Sequence, residues 1–215
     1  MAKKYIIWGS SGHAKVLASL IADQGGIVAA LFDNNPNATS ALNNTPLFIG
    51  EKGFGEWVSK NNPTDYYGLV AIGGALGNIR VGINQIFRKH GVKLEPLIHK
   101  NASVCPTAKL GDGVQILAGC IVGPEAVIGE ATILNHKASV DHECVIGKGV
   151  HLAPGATLCG LVNLEDNVMI AAGATVISRI KIGANTIVGA GSVVTKDLPS
   201  NVVAYGNPAK VIRKV

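Results

Sequence analysis

The sequence predicts a two-part fold: an α/β N-terminal domain with a small, Rossmann-like parallel sheet over residues 1–96, followed by a parallel β-helix over residues 97–198. Two patterns predict this fold. Strand and helix signals alternate in the first part, and a single six-residue register runs through the second part. Residues 199–215 are predicted to form a basic C-terminal tail.

The six-residue register is the stronger of the two signals. From Ile98 to Val194 every sixth residue is a branched aliphatic, and a glycine often follows it, as at Gly111 and Gly147. Neither the three-to-four spacing of a helix nor the alternation of a strand gives this period. A chain that turns a corner every six residues does give it. The aliphatics then point into a triangular prism, and glycine eases corners that need a positive φ.

In the first part, strand patterns at residues 4–9, 27–32 and 67–72 alternate with helical patterns at residues 14–24, 54–60 and 78–90. Residues 93–97 then lead into the six-residue register. This alternation predicts a small parallel sheet. Ligands of such sheets bind beyond the carboxyl ends of the strands.

Three loops are expected at those strand ends: Gly9–His13, Asp33–Asn34 and Gly73–Gly74. Glycines let a backbone approach a phosphate, and a helix start offers free N–H groups to an anion. The Asp33 carboxylate can accept hydrogen bonds from a ribose or a base. Because the glycine spacing is not G-x-G-x-x-G, we do not expect a nicotinamide cofactor; the loops favour another nucleotide-containing ligand.

Composition excludes several classes of protein. The 215 residues carry a net charge of +5 and are 47% hydrophobic, with no apolar run near the ~20 residues of a membrane-spanning helix. The N-terminus has no signal-peptide pattern, so we expect a cytoplasmic protein. Few aromatics and no interleaved basic patch argue against a nucleic-acid partner. Basic residues near the C-terminus could meet ligand phosphates: Lys196, Lys210, Arg213 and Lys214.

The four cysteines are Cys105, Cys120, Cys144 and Cys159. Cys120 and Cys144 occupy the small position two residues before an aliphatic, so we expect them to be reduced and to face the interior. No cysteine or histidine spacing matches a zinc site, and no metal is expected.

Polar side chains concentrate in one part of the repeat, and they are Asn135, His136, Asp141, His142 and Glu143, with His151 nine residues after His142. Any one of these on a solenoid is ordinarily just solvated, and we expect Lys15 and Arg80 to be solvated too. Their concentration in a single stretch indicates chemistry instead.

Three marks carry a resemblance over the whole chain: residues 8–13 (WGSSGH), Asn135 with residues 141–147 (DHECVIG), and residues 206–210 (GNPAK). The sequence resembles the hexapeptide-repeat acyltransferases, in the sialic-acid-type O-acyltransferase group. More narrowly, it is similar to the PglD-like bacterial N-acetyltransferases, which use acetyl-CoA and act on nucleotide-linked 4-amino-4,6-dideoxy sugars. The resemblance implies a left-handed β-helix and a homotrimer with active sites between neighbouring prisms.

The resemblance also implies residue roles. His142 would be the general base, Glu143 would orient it and raise its basicity, and Asn135 would lie near the reacting amine. Acetyl-CoA would contact His151, the Gly160 backbone, and the backbone near Ala172 and Ala190. The nucleotide sugar would be held by Ser11, Gly12, His13, Asp33, Asn34 and Gly73.

The chemistry of acetyl transfer to an amine fits these roles, because imidazole is suited to accept a proton near neutral pH and a carboxylate partner fixes its tautomer. A backbone N–H at Gly160 could meet the developing oxyanion. His136 is the rival base, but no acid follows it. A covalent acyl-cysteine route through Cys144 is disfavoured because that thiol should face inward.

Other functions stay open at this point. The same scaffold could transfer acetyl to a hydroxyl of a sugar or a sialic-acid-type substrate. A zinc hydratase would need His136, His142 and His151 to converge, and a non-catalytic sensor of sugar nucleotides would not need His142 at all. The sequence leaves open whether the nucleotide is uridine or thymidine, as well as the stereochemistry of the sugar.

Overall fold

The computed structural model describes residues 2–215, and the chain divides into two compact units. The first unit comprises the residues up to Ile72 together with Gly82–Glu95, and the second comprises Gly73–Val81 and Pro96–Val215. The segment Gly73–Val81, which the sequence analysis assigned to the first domain, therefore packs with the β-helix. Among residues 2–215, no helix is long and apolar enough to cross a membrane.

The first unit is built on a four-stranded sheet with the strand order β3-β2-β1-β4, in which β1 pairs in parallel with both β2 and β4. This is the order of the first four strands of a Rossmann fold. The strands are β1 (Lys4–Trp8), β2 (Ile27–Asp33), β3 (Leu47–Ile49) and β4 (Tyr66–Val70). The helices of the chain are α1 (Gly12–Asp23), α2 (Gly50–Val58) and α3 (Gly77–Lys89), with a 3₁₀ turn at Pro63–Asp65.

Aromatic side chains fill the core of the first unit. The Trp8 ring lies 5.6 Å from the rings of both Phe32 and Phe54, and Phe87 packs 5.5 Å from Phe54. Such large rings bury much apolar surface in a small domain. Of the chain's aromatics, only Tyr205 lies in the second unit, whose narrow interior takes aliphatic side chains instead.

The β-helix contains seventeen two-residue strands, β5 to β21, and each ends at an aliphatic of the six-residue register. Strands three apart pair in parallel, as Val127 pairs with Val145, so one coil takes eighteen residues. The strands are Leu97–Ile98, Ser103–Val104, Lys109–Leu110, Gln115–Ile116, Ile121–Val122, Val127–Ile128, Ile133–Leu134, Ser139–Val140, Val145–Ile146, His151–Leu152, Thr157–Leu158, Asn163–Leu164, Met169–Ile170, Thr175–Val176, Lys181–Ile182, Ile187–Val188 and Val193–Val194.

Three sheets make the faces of the prism. The first face begins with β5, the second with β6 and the third with β7, and each takes every third strand after that. The aliphatics and the small residues two places before them form one continuous buried cluster along the prism. The prediction that the aliphatics of the register point into the prism is confirmed.

The reason that we gave for the glycines of the register is wrong. From Leu110 to Val188, the residue with positive φ is the third after each aliphatic, as at Glu143 (φ 55) and Gly149 (φ 64), and not the first. Glycines directly after the aliphatic serve close packing: a Cβ at Gly129 would overlap the backbone of Gly147 in the next coil. These glycines let successive coils stack, since the coil above lies directly over them.

The segment predicted as a basic tail forms a hairpin that extends the first face. Strand β22 (Val202–Gly206) pairs in parallel with β20, and β23 (Ala209–Lys214) pairs antiparallel with β22. Val202, Val203 and Ala204 are buried, whereas the side chains of β23 are largely exposed.

Candidate functional site

His142 lies at a corner of the prism, between β12 on the second face and β13 on the third. The Asp141 carboxylate accepts the backbone N–H of His142 at 2.7 Å, and the N–H of Glu143 donates to the carbonyl of Pro124 in the coil below at 2.9 Å. These bonds fix the corner, and they give Asp141 a turn-forming role that its sequence position did not reveal.

His142 and Glu143 form a hydrogen-bonded pair. Imidazole Nδ1 lies 2.9 Å from Glu143 Oε2, and the two side chains are 46% and 50% exposed. A carboxylate can only accept, so Nδ1 carries the proton and Nε2 of the neutral ring keeps its lone pair. The ring therefore points away from the prism interior with a free acceptor nitrogen, as a general base requires.

Gly160 occupies the same corner one coil after His142. A Cβ at Gly160 would overlap the imidazole ring of His142, so only glycine gives that ring its position. Below the corner, a Cβ at Gly123 would overlap the backbone of Asp141 and His142. Glycines on both sides thus shape the space around the ring.

The rival base His136 occupies the matching place on the preceding corner. Its Nδ1 lies 3.0 Å from the amide oxygen of Asn135, and the next residue is Lys137, whereas His142 is followed by an acid. Of the two corner histidines, only His142 has a carboxylate hydrogen-bonded to its ring.

His151 lies on β14 of the first face and is only 7% exposed. Its Nδ1 accepts the backbone N–H of Gly74 at 2.9 Å, and its Nε2 lies 3.5 Å from the side-chain nitrogen of Asn135. A Cβ at Gly73 would lie 3.7 Å from the imidazole. Asn135, His151 and Gly73 are therefore brought together, within the second unit.

The structure does not bring the His142 pair and this second group together within one chain. Asn135 and His136 lie at the corner between the first and second faces, as do Ala172 and Ala190 in later coils. His142 lies one corner further along, beyond the second face. Gly160 and His151, which are both predicted to contact acetyl-CoA, are also separated. Gly160 lies at the same corner as His142, whereas His151 lies on the first face.

In the first unit, the loops after β1 and β2 are joined through Asp33. Its carboxylate accepts the N–H of Ser10 at 2.7 Å and the N–H of Asn35 at 2.9 Å, while Asn34 accepts the indole N–H of Trp8 at 3.1 Å. Asp33 therefore organises the loops, whatever contact it makes with a ligand. At the start of α1, the predicted ligand-binding residues are Ser11, at the N-cap, then Gly12 and the half-buried His13.

Ser10 belongs to the same loops, although sequence reasoning did not single it out. Its hydroxyl donates to the carbonyl of Thr39 at 2.7 Å and accepts the N–H of Ala41 at 3.0 Å. Gly9 (φ 110) must be glycine, because a Cβ there would overlap the carbonyl of Ala71. A serine in a glycine-rich turn gives no distinguishing signal.

The expectation that Arg80 is solvated is wrong. Its side chain is fully buried, and its guanidinium donates to backbone carbonyls, including those of Ala131 and Gly149. Burial lowers the pKa of Arg80 to about 10, which still leaves it protonated at neutral pH.

The cysteines are free, and Cys120 and Cys144 face the interior as predicted. The Cys144 thiol donates to the carbonyl of Cys159 at 3.2 Å, and burial raises its pKa. Such a thiol is a poor nucleophile because it stays protonated.

Residues 2–215 contain no group of three histidine, cysteine or acidic side chains that could share a metal ion. His136, His142 and His151 lie on two different corners and one face.

Two protein-family models match the chain. The PglD N-terminal domain matches residues 4–80, and the bacterial transferase hexapeptide (six repeats) matches residues 162–196. A search of curated proteins found no match.

Solved structures resemble nearly the whole chain. A histidine-to-asparagine variant of perosamine N-acetyltransferase from Caulobacter crescentus, solved with CoA and GDP-perosamine, is 34% identical, with a TM-score of 0.89 over 99% of this chain and 98% of its own. The acetyltransferase domain of PglB from Neisseria gonorrhoeae, solved with acetyl coenzyme A, is 29% identical, with a TM-score of 0.87 over 99% and 100%. WeeI from Acinetobacter baumannii is 27% identical, with a TM-score of 0.85 over 98% and 100%.

The fold is the one predicted: a small parallel sheet with helices, followed by a left-handed β-helix. The chain is an acyltransferase of the hexapeptide-repeat class. At 34% identity over 99% of its length with a family member, it belongs to the PglD-like family within that class.

Proposed function

We propose that the protein is an acetyl-CoA-dependent N-acetyltransferase that acts in the cytoplasm on the 4-amino group of a nucleotide-linked 4-amino-4,6-dideoxy sugar. The observation that carries the proposal is the His142–Glu143 pair beside Gly160, in which the imidazole keeps one nitrogen to accept a proton. The relative solved with CoA and GDP-perosamine supports both substrates.

In the proposed reaction, His142 Nε2 accepts a proton from the amine as the amine nitrogen attacks the thioester carbonyl carbon. The new C–N bond forms, the C–S bond breaks, and CoA leaves as the thiolate and takes up a proton. The Glu143 carboxylate stabilises the imidazolium, and the Gly160 N–H is proposed to donate to the oxyanion. The protonated, buried Cys144 argues against an acyl-cysteine intermediate.

Substrate binding is proposed for the remaining predicted residues. The loops organised by Asp33, with the start of α1, would hold the nucleotide, because a helix start offers N–H groups to phosphates. His151, with the corner backbone at Ala172 and Ala190, would contact acetyl-CoA. The GDP sugar bound to the Caulobacter relative adds guanosine to the two nucleotides that the sequence left open.

We propose a homotrimer for a structural reason as well. The His142 pair and the Asn135–His151 group lie at successive corners of one prism, so a neighbouring copy would have to bring them together. Exposed aliphatics on the outer faces, among them Ile121 and Val145, are available for burial in such an interface. Mixing inactive His142→Ala and Asn135→Ala subunits should restore activity, and sedimentation should give a trimer mass. Absence of restoration in mixed trimers would contradict a shared site.

The reaction is tested by following release of free CoA with a panel of nucleotide-linked 4-amino sugars and a hydroxyl analogue. Turnover of the amine is expected, and turnover of the hydroxyl analogue alone would support the O-acetyltransferase instead. A sensor would bind the nucleotide sugar without turnover, and His142→Ala would leave its function intact.

A further inference from the structure

Cys144 directly follows the His142–Glu143 pair along the chain, and its side chain is fully buried in the prism. Burial raises the pKa of the thiol, so the thiol keeps its proton at neutral pH and can act as a donor. It donates to the backbone carbonyl of Cys159 at 3.2 Å. Within residues 2–215, no other group donates to that carbonyl. The thiol therefore holds one edge of the peptide group that joins Cys159 to Gly160.

The N–H of Gly160 lies on the opposite edge of the same peptide group. In a planar trans peptide the carbonyl and the N–H point in opposite directions. Because the carbonyl points to a thiol inside the prism, the N–H points away from the interior. No group in residues 2–215 accepts a hydrogen bond from it. A Cβ at Gly160 would overlap Nε2 of His142, so this N–H and the base nitrogen lie at the same corner.

The two preceding coils offer no such donor at this corner. The place of Gly160 is held there by Pro124, which has no N–H, and by His142, whose N–H donates to the Asp141 carboxylate. Of these three residues, Gly160 alone has a backbone N–H that a substrate oxygen could meet. The orientation of one peptide group therefore decides where an oxyanion could be stabilised beside the base.

A threonine elsewhere in the prism makes the bond that Cys144 makes. Thr132, like Cys144, lies two residues before an aliphatic of the register, and its hydroxyl donates to the carbonyl of Gly147 at 3.1 Å. In both cases the donor and the carbonyl are 15 residues apart. The place of Cys144 is held in the neighbouring coils by Ala126 and Val162, which are both buried. We therefore expect alanine, valine and threonine to be accommodated at position 144.

We propose that Cys144 is a positioning residue whose thiol orients the Cys159–Gly160 peptide, so that the Gly160 N–H donates to the oxyanion formed when the amine attacks acetyl-CoA. The inference rests on the proposed function, in which Gly160 supplies this donor and His142 is the base. The thiol touches no substrate and forms no covalent bond in the reaction. Its effect should appear in kcat and not in either KM, because the oxyanion develops only during the reaction.

The test compares Cys144→Val with Cys144→Thr in steady-state assays of CoA release, using the nucleotide-linked amino sugar that the wild type acetylates. The two side chains have the same shape, and only threonine keeps a donor. Cys144→Val should lower kcat at least about tenfold, which is less than the roughly 100-fold loss that follows removal of an oxyanion donor. Both KM values should change less than about twofold. Cys144→Thr should keep kcat within about threefold of the wild type.

Thr132→Val is the matched control, since it removes the same kind of buried hydrogen bond at another corner. The Thr132 hydroxyl also accepts the N–H of Val150 at 3.2 Å, so this variant loses more hydrogen bonding than Cys144→Val does. Its melting temperature should fall, whereas its kcat should stay within about twofold of the wild type. Unchanged kcat in Cys144→Val would overturn the inference. Equal losses in Cys144→Val and Cys144→Thr, or an equal loss in Thr132→Val, would overturn it too.

A second measurement needs no turnover. In ¹⁵N-glycine-labelled protein, the signal missing from Gly160→Ala identifies the Gly160 amide. Cys144→Val should move this signal, and Cys144→Thr should leave it near its wild-type position; Cys144→Ala replaces the valine variant in both measurements if that variant fails to fold. A Gly160 signal that does not respond to loss of the donor would contradict the inference. Failure of the proposed function would instead appear as absence of wild-type turnover, with the Gly160 signal still moved by Cys144→Val.

Discussion

At the scale of single residues, the corner of a coil explains why His142, rather than His136, is the proposed base. The corner projects the second residue after the aliphatic outward, and at His142 the third residue is an acid. The same place is held by His136 on the preceding corner, where a lysine follows. The sequence predicted this contrast, because adjacency along the chain becomes adjacency in space at a corner.

Removing the base or its partner should lower the rate of acetyl transfer. His142→Ala should reduce kcat at least about 100-fold, the usual contribution of a general base, and Glu143→Gln should reduce it by about tenfold through loss of tautomer control. His136→Ala should leave kcat within a few-fold of the wild type. Steady-state assays of CoA release measure all three. A larger effect at His136 than at His142 would exchange their assigned roles.

Gly160 offers a sharper test of the role of the His142 ring, because Gly160→Ala adds only a methyl group beside the ring and changes no polar atom. Gly160→Ala should displace the His142 ring and reduce kcat by at least about tenfold, since small misplacements of a catalytic group are costly. The melting temperature should fall little, because φ at Gly160 is not in the left-handed region. Full activity in the Gly160→Ala variant would show that acetyl transfer does not depend on this position of the His142 ring.

The thiols should differ in reactivity in the native protein. A hydrogen bond with Thr107 lowers the pKa of Cys105, whereas burial raises the pKa of Cys120 to about 11 and raises that of Cys144. At pH 8 the Cys105 thiol should therefore be alkylated first, and its rate should rise as pH approaches its lowered pKa. Cys120 and Cys144 should react only after unfolding. Peptide mass spectrometry after timed alkylation measures the order.

At the scale of elements, the six-residue register predicted every strand of the β-helix, but the role that we assigned to the glycines of the register was wrong. Periodicity reports which side chains face inward, and it carries no information on how closely two coils approach. The short strand β3 was missed because three residues show no period. Helix α2 begins four residues before the predicted start, at Gly50, since its first turn contains glycines that weaken the helical pattern.

Two glycine-to-alanine variants should therefore change stability in opposite directions. Gly129→Ala would place a methyl group against the backbone of Gly147, and we expect a loss of about 1–3 kcal/mol from overpacking. Gly82 lies within α3 with open space around its Cβ, so Gly82→Ala should gain about 0.5–1 kcal/mol from helix propensity. Denaturant unfolding of both variants measures the difference, and a stabilised Gly129→Ala would refute the stacking argument.

At the scale of the whole molecule, the two-part fold was readable from the sequence, and the grouping of Gly73–Val81 with the β-helix was not. That grouping depends on Arg80 and Gly77, which meet residues more than fifty positions away. A lone arginine in a polar helical turn is indistinguishable from a solvated one. The division of the predicted site between two corners also follows only from the coil geometry, in which six residues move the chain to the next corner.

The C-terminal hairpin covers the end of the first face of the β-helix, because β22 pairs with β20. Removing residues 202–215 should leave β20 as the edge of the first face, with its backbone groups open to pairing. The truncated protein should associate end to end, and light scattering should detect particles that grow with concentration. A truncated protein that keeps the particle size of the wild type would argue against this role.

With the hairpin present, that edge belongs to β23, which carries Lys210, Arg213 and Lys214 on exposed positions. Two such edges would bring six cations together before any ladder could form, and charged edge strands discourage this kind of polymerisation. A repeat that could in principle continue into a fibre is thereby kept to a finite number of coils.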